Sequence, residues 1–135
     1  MRLIKINLDK INIEKLKESF KNIKINSKIN ISNIEILNPD GKDNAVLQIF
    51  FTYHITYSPD VANIDLGGKI ILTSKREEAK EALEMWESKK MTEDFRISLF
   101  NMILRKANIK ALELEEQVGL PLHIPLPTLK KQEKK

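Results

Sequence analysis

The sequence predicts an α+β domain in which an antiparallel four-stranded sheet is followed by a short helix, a long helix and an extended Pro/Leu tail. Apolar and polar residues alternate in several segments of the first half, which is typical of half-buried strands. In the second half, apolar residues recur every three or four positions, as on one face of a helix. The longest such stretch stops at Gly119 and runs into the proline-punctuated segment LPLHIPLPTL.

Length and composition indicate one ordinary globular domain. The chain has 135 residues, of which 41% are hydrophobic and 31% charged. We expect residues 1–129 to form a single domain and residues 130–135, with the sequence KKQEKK, to form a basic disordered tail. The absence of cysteine excludes a disulfide framework, a thiolate nucleophile and a zinc–thiolate site. Polar residues interrupt the N-terminal segment MRLIKINLDKIN, so we expect no signal peptide, no membrane span and a cytoplasmic location.

The first strands are predicted with one ambiguity. Residues 4–8 alternate as a strand, whereas the apolar residues of 9–20 fit either a short helix or a continuation of that strand. Between residues 23 and 37, isoleucines occupy odd positions and then even ones. This phase change predicts a bulge near Ser32-Asn33. A turn at Asn38-Pro39-Asp40-Gly41 follows, with Pro at a position of fixed φ and Gly at one that favours positive φ.

The third and fourth strands are predicted at 45–57 and 62–73. The third has the clearest alternation, with one face in the core and the other in solvent. The fourth contains Gly67-Gly68, which indicates a bulge, a bend or a close approach by other backbone. A phosphate-binding loop is the alternative interpretation of this pair, but no dinucleotide or Walker pattern surrounds it.

Two helices are predicted after the sheet. The first extends from about 75 to 88, with Thr73-Ser74 as candidate caps, and its glutamates are expected to form a solvated face. Thr92 caps the second, which Gly119 ends. The main apolar face of this long helix comprises Phe95, Leu99, Phe100, Ile103, Ala107, Ala111, Leu114 and Val118.

The tail after the long helix keeps a period of two in its apolar residues while its prolines favour an extended backbone. Two interpretations remain open. The tail covers the domain's own core, or it binds a partner as a PxxP-type ligand.

Catalytic motifs are absent from the sequence. His54 and His123 lie far apart and are expected to be an ordinary polar-face residue and an ordinary tail residue, not metal ligands. We therefore expect no enzyme activity, no metal and no cofactor.

Net charge leaves a second class of function open. The chain carries +4 at pH 7 with a pI near 9.2. A basic surface of this size either keeps the protein soluble or contacts phosphates of nucleic acid or the ribosome. The candidate phosphate contacts are Lys15, Lys17, Lys21, Lys24 and Lys28.

The order of elements from about residue 23 to 129 resembles the SecB-type export chaperones. The resemblance rests on the pair in Leu66-Gly67-Gly68-Lys69-Ile70, the short helix, the break, the long helix that closes at Gly119 and the Pro/Leu stretch after it. It implies a homo-oligomer whose long helices pack between sheets and whose apolar grooves hold extended, non-native polypeptide. The tail lacks the Cys/His zinc-binding motif found in many members.

Candidate binding residues follow from this resemblance and from surplus apolar surface. We expect polypeptide binding by Phe50 and by the tail residues Leu122, Ile124 and Leu126. A second apolar stripe on the long helix exceeds what one sheet needs to cover and predicts an oligomer interface at Ile97, Leu104 and Leu112. A structural subunit that binds one folded partner through the same stripe is a further alternative.

Overall fold

The computed structural model describes residues 1–18 and 21–126. The elements, in chain order, are β1 (Arg2–Lys15), β2 (Lys24–Ile36), β3 (Ala45–Ser58), β4 (Ala62–Ser74), α1 (Arg76–Glu87) and α2 (Glu93–Val118). The strands form one antiparallel sheet in the order β1-β4-β3-β2. The predicted fold class is confirmed, while the predicted basic tail at 130–135 lies outside the described residues.

β1 decides the ambiguity after residue 8 in favour of the longer strand as far as Lys15. It pairs with β4 as far as Lys15, which lies opposite Ala62. The helix alternative is wrong for residues 9–15 because Ile11 and Ile13 pair with Leu66 and Ile64 of β4.

The predicted bulge in β2 is confirmed. Ile31 lies opposite Phe51 and Asn33 opposite Phe50, so Ser32 is the extra residue. The extra residue returns the later isoleucines to the inner face, where Ile34 is buried opposite Ile49.

The turn after β2 forms without a left-handed glycine. The amide of Gly41 donates to the carbonyl of Asn38 at 3.0 Å. Among the described residues Gly119 is the glycine with positive φ, so the expected positive φ at Gly41 is wrong. Arg76 holds the loop instead, since its Nη1 donates to Asn38 O at 2.9 Å and its Nε to Asp43 O at 3.1 Å.

The core lies between one face of the sheet and the two helices. Every odd residue of β3 from Ala45 to Tyr57 is buried, as its alternation predicts. α1 contributes the small residues Ala79 and Ala82. The buried residues of α2 recur strictly every four positions: Leu99, Ile103, Ala107, Ala111 and Glu115.

The glycine pair marks a close approach of β1 to β4, which is one of the predicted alternatives. A Cβ added to Gly68 would lie 2.0 Å from the backbone oxygen of Asn7, whereas one added to Gly67 would lie at ordinary contact distance, 3.5 Å from Lys10 Cβ and 3.8 Å from the backbone oxygen of Phe51. The register of β1 shifts between Leu8 and Lys10, directly opposite the pair. Gly68 is therefore required by packing, and Gly67 is not.

The helix ends agree with the sequence at α2 but not at α1. The hydroxyl of Thr92 accepts from the amide of Phe95, and Gly119 closes α2 with φ of 73°, as predicted. The N-cap of α1 is Lys75, without a side-chain cap bond, so the predicted caps Thr73 and Ser74 are wrong. These two residues still belong to β4, and the Ser74 hydroxyl donates to the carbonyl of Lys75 at 3.1 Å.

Candidate functional site

A buried carboxylate lies at the end of α2, in line with the apolar residues of the core. Glu115 is 0% exposed. The hydroxyl of Tyr57 lies 2.8 Å from its Oε2 and 2.5 Å from the carbonyl of Pro121, and its single proton is donated to one of the two. The main-chain amide of His123 donates to Oε1 at 3.1 Å. Because a buried charge without partners is costly, these contacts are what permits a glutamate here.

The side chain of His123 extends this network to the sheet. Its Nδ1 lies 2.7 Å from Oε2 of Glu115, and both side chains are buried. Its Nε2 lies 2.9 Å from Oδ1 of Asn108, which also accepts from the hydroxyl of Tyr53 at 2.8 Å. Both ring nitrogens thus face oxygen atoms of α2 side chains.

Both tyrosines of the network resist ionisation. Burial, followed by the hydrogen bond and the negative charge of Glu115, raises the pKa of the Tyr57 hydroxyl well above its ordinary value of 10. Burial also raises the pKa of Tyr53, against a smaller opposing contribution from Ser27.

The tail is therefore anchored to its own domain. Leu120 is buried, and Leu122 and Ile124 are half-buried. The described tail bends at His123 and Ile124 and forms no strand over residues 121–126. The prediction of His123 as an ordinary tail residue is wrong, because this side chain is 3% exposed and joins the tail to α2.

A groove remains between the tail and the end of α2. Its cavity volume is about 600 Å³, and it is lined by Leu112, Glu113, Glu116, Gly119, Leu120, Pro121, Leu122 and Leu126. We call this the tail groove. It brings together two of the predicted binding residues, Leu122 and Leu126, with Leu112 from the predicted oligomer stripe.

An apolar cleft of about 420 Å³ opens at the other end of the helices. β2, α1, α2 and the loop between the helices supply its apolar wall, which comprises Ile29, Ile31, Met85, Trp86, Met91 and Phe100. We call this the Trp86 cleft. The charged side chains of Glu87, Lys89 and Arg96 lie at it as well. No sequence pattern indicates this cleft, because its residues come from elements that are separate in the chain.

The cleft borders a free sheet edge. Within the described chain, β2 pairs only with β3, so its other edge carries no strand. Its pairing with β3 runs without a register shift from Lys24 to Ile31, whereas β1, at the opposite edge, has two shifts. A regular free edge can accept an extended chain as an added strand.

A solved structure is similar to this chain over nearly its whole length. It is the SecB-like chaperone Rv1957 of Mycobacterium tuberculosis in complex with a ChAD peptide from the Rv1956 HigA1 antitoxin. The match covers 98% of this chain and 92% of that one, with a TM-score of 0.56 and 14% sequence identity. The chain has a SecB-like fold. The sequence itself matches no protein-family profile and no curated protein.

The SecB-like fold places the predicted site residues in different regions. Phe50 lies on the sheet face away from the helices, opposite Lys69 of β4, so the structure does not bring it together with the tail residues. Ile97, near the start of α2, is 48% exposed. Leu104 and Leu112 are half-buried farther along the same helix.

The predicted lysine cluster is likewise dispersed. Lys15 points to the end of α2, where its Nζ donates to Val118 O at 3.0 Å, and Lys17 donates to Pro59 O at 3.2 Å. Lys24 and Lys28 lie on the outer face of β2, opposite Ser58 and His54. The five lysines of the prediction therefore do not form one surface.

Two further absences apply to the described part of the chain. Neither α1 nor α2 is long and apolar enough to cross a membrane. Across residues 1–18 and 21–126, no three side chains of the metal-ligating types group together in a way that could hold a metal ion.

Proposed function

We propose that the protein is a non-catalytic, homo-oligomeric polypeptide-binding protein of the holdase type. The observation that carries this proposal is the Trp86 cleft beside the regular free edge of β2. The SecB-like fold supports it, because the matched chaperone was solved with a peptide from another protein. Holding a non-native chain needs apolar surface and a strand edge, and it needs no catalytic group.

The binding mode follows from the geometry of an edge strand. An extended segment pairs with β2 between Lys24 and Ile31, and its main-chain hydrogen bonds are independent of its sequence. Alternate side chains of that segment point toward the helices, where Trp86 and Phe100 line the cleft. The flexible side chains of Met85 and Met91 adapt to clients of different shape. The result is broad selectivity for apolar, unfolded segments.

The tail groove provides a second apolar surface for the same clients. Leu122 and Leu126 line it, and Ile124 lies between them in the chain. Leu126 is 53% exposed. An apolar residue exposed this far beside a groove can contact a bound segment, and two such surfaces on one chain increase avidity for long clients.

Self-association is the second part of the proposal. Ile97, Leu104 and Leu112 leave an apolar stripe on α2 that the protein's own sheet covers incompletely. A second copy that packs on this stripe removes it from water, at about 25 cal/mol per Å² of apolar surface.

Light scattering from unfolded clients tests the binding proposal. The protein at near-stoichiometric ratio should suppress aggregation of several unrelated denatured proteins. Trp86→Ala should weaken client binding about 30-fold, as expected for a central aromatic contact worth about 2 kcal/mol. Phe50→Ala is the matched aromatic control on the other sheet face, and it also tests whether Phe50 binds polypeptide as the sequence predicts. Circular dichroism verifies that both variants are folded.

Two results would contradict the proposal. If the unmodified protein leaves aggregation of every client unchanged, the holdase function is wrong. If Phe50→Ala abolishes suppression while Trp86→Ala retains it, clients bind the outer face of the sheet and not the cleft.

A further inference from the structure

The sheet face away from the helices carries much of the positive charge of the protein. Residues opposite one another in an antiparallel sheet share a face, so the pairing register assigns each side chain to a side. We call this surface the outer sheet face. The charged side chains that the register places on it are Arg2, Lys5, Lys10, Glu14, Lys24, Lys28, Glu35, Asp65 and Lys69. Six are cationic and three are carboxylates.

Four of the six cations form a continuous row along the β1–β4 half of this face. Lys69 belongs to β4 itself, and the other three lie opposite β4 residues on the same face: Arg2 opposite Thr73, Lys5 opposite Ile71 and Lys10 opposite Gly67, on either side of Lys69. Successive rows on one face are about 6.8 Å apart along a strand. We call these four residues the basic row. They present one cation per step along two neighbouring strands, of which β1 is bent at its two bulges.

The three carboxylates that the register places on the outer sheet face lie outside the basic row. Asp65 contacts Nδ1 of His54 in the next row, and Glu14 lies farther along, opposite Asn63. Glu35 is on β2, where its Oε1 accepts from the side-chain amide of Asn33 at 3.0 Å. Asp9, the extra residue of the bulge before Lys10, is exposed and offsets one of the four charges, so the row keeps a net positive charge.

An aromatic ring stands directly beside the basic row. Phe50 of β3 is opposite Lys69 and is partly exposed. Asn7 of β1 is paired with Lys69 on the other side, and Asn33 of β2 is paired with Phe50. One transverse row of the sheet thus combines two amides, a cation and an aromatic face. Aromatic rings stack on nucleobases, and side-chain amides form hydrogen bonds with base edges.

We propose that the outer sheet face binds single-stranded nucleic acid. The phosphate backbone follows the basic row from Arg2 to Lys10, and a base stacks on Phe50 while the amides contact its edge. A single strand fits better than a duplex, because stacking on Phe50 requires an unpaired base. The site is separate from the Trp86 cleft, which lies on the opposite face of the sheet.

Fluorescence anisotropy with labelled 20-mers of deoxythymidine and of uridine tests this proposal in the full chain. Contact with four phosphates predicts a log–log salt slope of about −2.8, so the Kd should rise about 50-fold between 50 and 200 mM salt. Lys69→Gln should reduce the slope by about 0.7. Phe50→Ala should weaken binding about tenfold at constant slope. The two oligonucleotides distinguish DNA from RNA as the source of the strand.

Lys106→Gln is the matched control, because Lys106 is exposed on α2, away from the sheet face, and its loss changes net charge equally. Three results would overturn the proposal: absence of binding at 50 mM salt, an equal effect of Lys106→Gln and Lys69→Gln, or equal affinity for a duplex of the same length. Displacement of the oligonucleotide by poly-glutamate at equal charge concentration would assign the face to acidic polypeptide and would also overturn it.

Discussion

Substitution of the two adjacent glycines of β4 by alanine should have opposite effects on stability. Gly68→Ala places a methyl group 2.0 Å from the backbone oxygen of Asn7. Backbone cannot rotate away as a flexible side chain does, so β1 must move off β4 by roughly 1–1.5 Å to restore van der Waals distance. Gly67→Ala adds the same methyl group at ordinary contact distance, 3.5 Å from Lys10 Cβ.

The cost of Gly68→Ala can be worked out from this displacement. Overpacking of a rigid site costs about 1–3 kcal/mol, and each ladder hydrogen bond weakened in β1–β4 costs about 1 kcal/mol more. We therefore expect a loss of about 3–4 kcal/mol in the free energy of unfolding. Gly67 does not have a positive φ. Alanine there should be neutral or should stabilise the protein by up to about 1 kcal/mol, since it restricts the unfolded chain.

Thermal unfolding followed by circular dichroism measures both effects. The entropy of unfolding of a 135-residue chain is about 0.28 kcal/mol/K, so the Tm of Gly68→Ala should fall by about 10–14 °C. The Tm of Gly67→Ala should stay within about 4 °C of the original value. Equal losses for the two variants, or an unchanged Tm for Gly68→Ala, would refute the close approach of β1 to β4.

Three further predictions concern the tail network and α2. The folded-state pKa of Tyr57 is raised above its unfolded value of about 10, so the stability that Tyr57 contributes is fully present below pH 10 and should fall as pH rises above it. In a urea-unfolding series from pH 8 to 11.5, the free energy of unfolding should therefore decline less steeply for Tyr57→Phe. His123→Ala leaves the buried Glu115 without its nearest partner and should lower the free energy of unfolding by about 3 kcal/mol at pH 7. In the same assay, the double variant with Glu115→Gln should lose less stability than the sum of the two single variants. Leu104→Glu should shift the mass measured by multi-angle light scattering from an oligomer to a monomer, whereas Lys106→Glu should leave it unchanged; a monomeric original protein would contradict the proposed self-association.

Much of the sheet could be predicted from the sequence because, in a half-buried strand, successive residues alternate between the core and solvent and their polarity alternates with them. The alternation from Ala45 to Tyr57 reports one face in contact with helices, and the shift in isoleucine phase reports the bulge at Ser32. The limits of β1 could not be predicted, since an edge strand is exposed and its apolar periodicity is weak. Ile11, for example, is 48% exposed although it is part of β1.

The candidate site was less predictable because its contacts join distant parts of the chain. Glu115 continues the four-residue spacing of the buried positions on α2. That spacing alone could have predicted that this charged residue is buried. Its partners Tyr57 and His123 are 58 and 8 residues away in sequence. The Trp86 cleft likewise joins separate elements, and no local pattern reports such a meeting.

The strict four-residue spacing on α2 has a geometric consequence for any layer that packs above this helix. Four residues advance an α-helix by about 400°, so each successive buried residue is rotated by about 40° from the one before. Between Leu99 and Glu115 the line of contact winds by about 160° around the helix. Ile97 and Glu115 therefore point in nearly the same direction from the helix axis, yet Ile97 is 48% exposed and Glu115 is fully buried. The uncovered side of α2 winds around the helix in the same way. A second helix that covers this side must therefore cross α2 at an angle and cannot lie parallel to it.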